Sequence, residues 1–541
     1  MKRIHRLSLS LASGILLSLP WLGFPGWMLI VAFVPLLFLE DFFKRNKDHH
    51  SAISLPQHVF FAALIWNILA SWWMAKVSLT GVGSAMVFNA FLMAGVWGLA
   101  HLIGRKLSAG LGFLALVSLW ISFEYIQFNW DMEWPCLQLG SVLADHVQSI
   151  QWYEFTGTFG GSLWILVLNL LIFRIVKQLL QKMPMLQLLP VTFIFSLVLL
   201  LPLITSYRLY TNYDEKPDPI TIAIIQPNVD PYNESFDMEA EKKKLHRFMS
   251  LAAEVTNDET DVILGPETVF ENPTYWNEAD FGNNEFLLQL RTFLKRYKKA
   301  ELLLGVSSFQ VYKNKNEATI TAQNRDGKIY DRFNTALFLT REGETQSYHK
   351  SKLVAGVEKT PFLKYLPFLK NWFIDLGGAS GNLGRQKTAS NFVSEQGWEG
   401  APVICFESVF GEYVANYVKN GAEVIFVITN DGWWKNSRGY KQHLLFSQLR
   451  AIENRRSIAR AANTGTSCFI NQRGEIEQAT GWWVEAAISG SINKNDKITF
   501  YTKHGDYIAR VALFLSVLLV LLMIVRSITE EQKKSAPIRF V

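Results

Sequence analysis

Cysteine is scarce in this chain of 541 residues, which holds only Cys136, Cys405 and Cys468. Three is an odd number, and none forms a CxxC pair or stands at metal-ligand spacing from a histidine. Neither a disulfide framework nor a zinc site is therefore indicated, although a Cys136–Cys468 bridge stays open. No metal and no organic cofactor is implied by any motif. A long basic stripe with interleaved aromatics is also missing, so a nucleic-acid partner is not expected despite a formal net charge of +6 and a pI near 8.9. The opening MKRIHR and its apolar run mimic a secretory signal. Leu19-Pro20-Trp21 lacks the small residues of a cleavage site, and a further apolar segment follows at once, so a retained signal-anchor span is expected.

The chain is instead rich in apolar length. Hydrophobic residues make up 49% of it and the mean hydropathy is +0.12, high for a soluble enzyme of this size. They gather in the first two hundred or so positions and again near the C-terminus. Runs of roughly 14 to 20 residues, most of them long enough for a bilayer, fall at 7–21, 27–43, 58–75, 85–103, 109–128, 162–175, 188–207 and 508–525. That predicts about eight transmembrane helices. Lys and Arg cluster at 1–6, 44–50, 105–106, 174–182 and in the tail (Arg526, Lys533, Lys534, Arg539), whereas 22–26, 77–84 and 129–161 are nearly free of them. By the positive-inside rule both termini are cytoplasmic, and the large segment near 211–505 lies on the outer face, the periplasm of a bacterium. The expected organisation is a membrane domain at 1–210, a periplasmic domain at 211–505, a closing span at 506–528 and a cytoplasmic tail at 529–541. Glu124, inside an apolar run, reads as a helix–helix hydrogen bond or a cavity-facing group. His101, near a span end, reads as a snorkelling interfacial residue. Trp130, Trp134 and Trp152 in the outer loop 129–161 suit interfacial anchoring, and that loop could also cover a lipid-access groove.

From Ile220 the pattern changes. Short β-type runs at 220–226, 260–264, 301–307, 319–324, 403–406, 424–429 and 467–471 alternate with helical stretches at 235–256, 284–297, 412–420 and 441–461. Alternation of this kind predicts an α/β layered domain with its own core.

Three residues in that domain stand in short signatures: Glu267 in ILGPET, Lys350 in YHKSKL and Cys405 in VICFES. Glu267 and Cys405 each follow an apolar strand, where ligands usually bind. Lys350 falls in a loop-like stretch. A helix N-terminus after Cys405 would lower its pKa and offer N–H donors to an oxyanion. Taken singly, each residue has a plain explanation: a solvated edge carboxylate, a small buried thiol, an exposed lysine. Together they are a general base, a cation and a nucleophile.

In order and flanking sequence the three residues resemble the Glu-Lys-Cys triad of the nitrilase (carbon–nitrogen hydrolase) superfamily, whose fold is an αββα sandwich. The whole chain resembles the membrane-embedded branch of that superfamily, enzymes that N-acylate apolipoproteins. The likeness rests on Gly265-Pro266-Glu267, on Lys350 through Leu353-Val354 to Glu358, and on Cys405-Phe406-Glu407. It continues in Thr429-Asn430-Asp431-Gly432-Trp433-Trp434, Gln442-His443, Arg450-Ala451-Ile452-Glu453 and Arg460 to Gly465. Gly160-Gly161-Ser162 and Gly505-Asp506 are similar too. Glu358 matches a second essential glutamate of the family. Phe406 departs from a common tyrosine, the segment 354–361 departs from a VPFGEYVP-like run, and Tyr232 stands where a tryptophan is common.

The resemblance implies acyl transfer from a phospholipid, phosphatidylethanolamine by preference, through a Cys405 thioester. The acceptor would be the N-terminal amine of a diacylglyceryl-cysteine apolipoprotein. Glu358, Glu407, Phe406, Tyr232, Asn430 and Trp433 would support the site, and the protein would work as a monomer in the inner membrane. The apolar segment 360–376 reads equally as a lid dipping into the interface or as packing against the spans. A membrane-tethered amidase shares the triad, but a tether needs only one span. A transporter with an external sensor domain is disfavoured by the absence of repeats and the few charges within spans.

Overall fold

The computed structural model describes residues 1–232, 237–272, 276–370 and 381–535. Its helices begin with α1 (Arg3–Ser18), α2 (Leu29–Ala32), α3 (Val34–Arg45), α4 (Ser54–Ser71), α5 (Leu79–Lys106), α6 (Ala109–Gln127), α7 (Tyr153–Leu180) and α8 (Met185–Asn212). Then come α9 (Met238–Val255), α10 (Glu285–Leu294), α11 (Gly411–Lys419), α12 (Arg438–Asn454), α13 (Phe500–His504) and α14 (Tyr507–Ser535). Among the described residues seven segments are long and apolar enough to cross a membrane: Gly26–Arg45, Ser54–Lys76, Leu79–Lys106, Ala109–Gln127, Tyr153–Leu180, Met185–Asn212 and Tyr507–Gln532. The eighth expected run is α1, whose 16 residues extend about 24 Å. It lies antiparallel to α2 and α3: the Ser13 hydroxyl donates to the Ala32 carbonyl, and the Arg6 guanidinium sits 5.5 Å from the Phe42 ring.

Two details of this helical part differ from the sequence reading. The run at 162–175 is the middle of a longer helix, α7, that already begins at Tyr153. The glycines at its start, placed at the end of the expected outer loop 129–161, serve close packing. A Cβ on Gly161 would fall 1.9 Å from the Tyr153 hydroxyl and 2.9 Å from the Cα of Gly140. His101 does not snorkel: it is buried, and its Nδ1 lies 2.5 Å from Glu40 Oε2, joining α5 to α3. Glu124 acts as a polar tie, accepting from the Leu139 N–H at 2.9 Å and from Trp120 Nε1 at 3.1 Å. All three cysteines are free.

The second part is built from β1 (Pro219–Gln226), β2 (Val262–Leu264), β3 (Glu301–Tyr312), β4 (Gln323–Arg325), β5 (Lys328–Leu339), β6 (Thr345–His349) and β7 (Phe392–Val393). It continues with β8 (Glu399–Ile404), β9 (Val424–Thr429), β10 (Ile458–Ala462), β11 (Cys468–Ile470), β12 (Ile476–Glu477) and β13 (Ala486–Asn493). One sheet runs β13-β1-β2-β3-β5-β4 with β6 on β5, and the other runs β12-β11-β10-β9-β8-β7. Strand β1 shows how the layers form. Ile220, Ile222 and Ile224 point into the core between the sheets, while Ala223 and Ile225 face the core under α9 and α10. Val414, Tyr417 and Val418 of α11 and Ala451 of α12 close the other side, giving an α–β–β–α stack.

Two expected elements shift. The strand expected at 319–324 is reduced to β4, and the helix expected at 441–461 stops at Asn454, where Arg455 turns left-handed (φ +49°). Residues 458–462 leave the helix because they pair in parallel with β9, a tertiary demand that overrides alanine's helix preference.

The sandwich sits on the helical bundle through α12 and the turn after β8. Phe410, Phe446, Leu449 and Ile452 belong to the bundle's core. Polar contacts fix the seating: Thr158 N–H donates to Glu453 (3.2 Å), Arg455 reaches Gln151 (2.6 Å), and Lys359 pairs with Glu133 (2.8 Å).

Candidate active site

Three strand ends deliver the three signature residues to one place. Glu267 follows β2 after the Gly-Pro turn, and the chain then passes through Thr268 at φ +43°. The neighbouring strand must come very close here: a Cβ on Gly305 of β3 would lie 2.7 Å from the Glu267 Cα. Lys350 does not stand in an open loop. It is the first residue past β6, and its N–H donates to the Asn334 carbonyl of β5 at 2.9 Å. Cys405 is the first residue past β8, with φ at +49°. The carboxylate and the ammonium thus come from one sheet and the thiol from the other.

The charges are buried and mutually satisfied. Lys350 Nζ donates to Glu267 Oε1 at 3.0 Å and to Glu358 Oε1 at 2.8 Å, and Asn334 Nδ2 donates to the same two oxygens at 2.8 and 3.2 Å. Glu267 Oε2 accepts the Asn430 N–H at 3.0 Å, and Glu358 Oε2 accepts the Val354 N–H at 2.7 Å. Burial would lower the Lys350 pKa, but the two carboxylates outweigh it and hold the ammonium well above the usual lysine range. Lys350 is therefore a permanent cation. Asn334 was missed in the sequence because it lies in the middle of β5, a strand that no motif marks.

The thiol departs from expectation. Cys405 opens a five-residue 3-10 turn, Cys405–Val409, rather than a long helix. Its pKa is pushed well above the usual range, first by burial and then by the Glu267 charge, with Lys350 and a Thr429 hydrogen bond opposing. A short turn offers too small a dipole to counter the loss of water around a thiolate. Cys405 therefore rests as a thiol and needs a base.

Behind the thiol stands a second buried network. His443 Nε2 lies 3.0 Å from the Cys405 carbonyl and 3.1 Å from the Ser408 hydroxyl, while Nδ1 lies 2.9 Å from Asp431 Oδ1. Arg460 Nη2 pairs with Asp431 Oδ2 at 2.7 Å. Burial would raise the Asp431 pKa, but Arg460 and His443 bring it down to about 2. His443, Asp431 and Arg460 each sit in one of the short segments that carry the family resemblance, and none of them has a role assigned by the sequence alone.

The supporting residues separate into two groups. Glu358 and Asn430 touch the triad as described above. Glu407 instead ties backbone, accepting from Ile404 N–H (2.9 Å), Ser351 N–H (2.7 Å) and the Tyr348 hydroxyl (2.6 Å). Burial pushes its pKa up to about 7. Phe406 packs edge-on against Phe410 at 5.1 Å on the bundle side. The Tyr232 hydroxyl donates to the Trp433 carbonyl at 2.8 Å, and the two rings lie 5.3 Å apart. In the segment 360–376, Tyr365 and Phe368 are 72% and 80% exposed, whereas Thr360 and Leu363 are buried, so its described part is packed at the start and open beyond Lys364. The Phe362 N–H docks on Asp131 at 3.0 Å. Trp372 and Phe373 lie outside the described residues.

Comparison with known proteins follows the same division. Residues 221–498 match the carbon-nitrogen hydrolase family, and residues 13–171 match the apolipoprotein N-acyltransferase N-terminal domain. The chain is 28% identical over 534 residues to an apolipoprotein N-acyltransferase of Chlorobaculum tepidum, covering 96% of each chain. It is 27% identical over 516 residues to that of Geobacter metallireducens, covering 93% of this chain and 92% of the relative. The crystal structure of Saccharomyces cerevisiae Nit3, a nitrilase-superfamily member, aligns with 51% of this chain and 90% of its own at 13% identity and a TM-score of 0.37. The chain belongs to the carbon–nitrogen hydrolase family, in its apolipoprotein N-acyltransferase branch.

Proposed function

We propose that this protein transfers an acyl chain from a phospholipid to the N-terminal amine of a diacylglyceryl-cysteine apolipoprotein, through a thioester on Cys405. The observation that carries this reading is the convergence of Glu267, Lys350 and Cys405 at the seam of a sandwich seated on a bundle of membrane-length helices. Glu267 takes the thiol proton as the sulfur attacks the ester carbonyl. Lys350, with a backbone N–H beside Cys405, meets the oxyanion. The carbon–oxygen bond breaks, and the lysophospholipid leaves with the proton returned by Glu267. The acceptor amine then attacks the thioester with Glu267 again as base, the amide forms, and the thiol is restored. Sharing one nucleophile makes the kinetics ping-pong. Phosphatidylethanolamine is the proposed donor.

A membrane setting has a physical rationale. Both substrates carry long chains whose extraction into water costs about 0.8 kcal/mol per CH₂. The proposed topology keeps 1–210 as membrane domain, 211–505 in the periplasm, 506–528 as the last span and 529–541 in the cytoplasm. Counting α1 as a span supports cytoplasmic placement of both termini, since it traverses the depth from Ala32 to Phe42.

The test is intact mass spectrometry after incubation with phosphatidylethanolamine, beside Cys405→Ala. One acyl mass gained, absent in the variant and discharged by a diacylglyceryl lipopeptide amine, is the expected result. Equal discharge by water alone would favour a membrane-bound amidase or esterase instead.

A further inference from the structure

A cavity of about 210 Å³ lies between the helical bundle and the sandwich, away from the triad. Its walls come from the link between α1 and α2, from the connection between α6 and α7, and from the first turns of α12. It thus opens where the bundle ends, the depth of lipid headgroups in the proposed membrane setting.

Helix α12 gives the cavity a graded face. Arg438, Lys441, Gln442 and Leu445 follow i, i+3, i+4, i+7 spacing and so share one side of the helix. Two cations come first, then an amide whose Nε2 donates to the Trp21 carbonyl at 3.1 Å, then Leu445 with Phe446 beside it. Trp21 and Phe24 supply the facing apolar wall. Among the described residues neither Arg438 nor Lys441 forms an ion pair. Arg438 is nonetheless held in place. Its guanidinium rests on Gly23, where a Cβ would fall 2.0 Å from Nη2 and where φ is +97°. Asp145 lines the same cavity; it accepts the Gly26 N–H at 3.2 Å and lies 3.8 Å from His146 Nε2.

Two unneutralised cations over an apolar floor suit a phosphodiester carrying acyl chains, because charge-assisted bonds to a phosphate are strong and guanidinium binds it in a fork. The Asp145 carboxylate lining the same cavity suits a headgroup that also bears an ammonium. We propose that this cavity is a headgroup site for a zwitterionic glycerophospholipid, with Arg438 and Lys441 on the phosphate and Asp145 toward the ammonium. The assignment rests on the acyltransferase reading for its role as donor site, but the binding itself does not. Since α12 also carries His443 against the Cys405 carbonyl, a lipid held here lies one helix face from the nucleophile turn.

The experiment measures binding of a dialkyl-ether phosphatidylethanolamine, which cannot donate an acyl chain, to the full-length protein in detergent micelles. The comparison ligands are the matching ether phosphatidylglycerol and inorganic phosphate. Arg438→Ala with Lys441→Ala is expected to weaken binding about tenfold or more. Arg438→Lys, which keeps the charge but loses the fork, should fall between the parent and Arg438→Ala, which separates charge from misfolding. Asp145→Asn should remove the preference for the ethanolamine lipid over the glycerol lipid. Unchanged affinity in the double variant overturns the site, and so does inorganic phosphate binding as tightly as the lipid. Ether-lipid binding without any acyl-enzyme from the ester lipid would leave the site standing and remove the acyltransferase reading instead.

Discussion

The Nε2 atom of His443 lies 3.0 Å from the carbonyl oxygen of Cys405, so an imidazole holds the backbone of the residue proposed as nucleophile. Cys405 needs such a hold because it sits at φ +49°, a conformation that a residue with a Cβ adopts only under constraint from its surroundings. Asp431, fixed by Arg460, orients the ring from its other side. His443 is thus a positioning residue for the turn that presents the thiol.

Removing that ring in His443→Ala takes one partner from the Cys405 carbonyl, which keeps the Ser408 hydroxyl, and opens a void beside Trp434. Losing one buried hydrogen bond while its acceptor keeps another partner costs about 0.5–1.5 kcal/mol, which as barrier height is roughly 2- to 13-fold in rate. Single-turnover acyl-enzyme formation should slow by that amount while the donor KM stays put. His443→Gln, which can still donate to the carbonyl, should recover part of the loss. A fall in KM-linked affinity alone would place His443 in substrate binding instead.

Glu267→Gln separates the two effects of that carboxylate on the thiol. Its negative charge raises the Cys405 pKa, so the neutral variant lets Lys350 pull the pKa down. Alkylation of Cys405 by iodoacetamide at pH 8 should therefore become faster. Acyl-enzyme formation should drop by about 10²- to 10⁴-fold for want of the base. If both rates fell together, Glu267 would not be opposing the thiolate in the resting enzyme.

Lys350 neutralises two carboxylates at once, and its loss in Lys350→Met leaves Glu267 and Glu358 facing each other across Asn334. Breaking a buried charge network by removing one partner costs about 3–5 kcal/mol. Thermal unfolding followed by tryptophan fluorescence should show that loss, and a second change, Glu358→Gln, should return part of the stability but no activity. Additive losses in the double variant would mean that the three groups are not coupled.

That Glu267, Lys350 and Cys405 lie together was legible in the sequence because each stands in a short signature, two of them at the ends of apolar strands, where sheets present side chains. The bundle was legible by apolar length, except where packing needs glycine, as at Gly161 in α7. What escaped was long-range. Asn334 lies mid-strand, His101 finds Glu40 only through helix packing, and 458–462 turns from helix to strand only because β9 is waiting beside it. The thiol's raised pKa was misread for the same reason: sequence reveals the residues after Cys405 but not how thoroughly the bundle and the second sheet exclude water from it.

The Asp431 carboxyl yields a prediction in acid. Its folded pKa of about 2 lies below the ordinary 3.8. A depressed carboxyl contributes stability that is fully present above its unfolded pKa and is lost as pH falls from about 4 to about 2. The shift corresponds to about 2 kcal/mol. Glu407 and Glu453, both raised to about 7 by burial, act in the opposite sense, losing stability as pH rises from about 4.5 to 7. Well below pH 4.5 they are protonated whether the chain is folded or not, and the lowered carboxyl of Glu475 contributes equally to parent and variant, so the difference between the two in this window reports Asp431 with its partners His443 and Arg460. Asp431→Asn should be less stable than the parent at pH 5, and the gap between the two unfolding midpoints should shrink steadily toward pH 2. A gap that stayed constant across that window would mean that the carboxylate is not held ionised by Arg460.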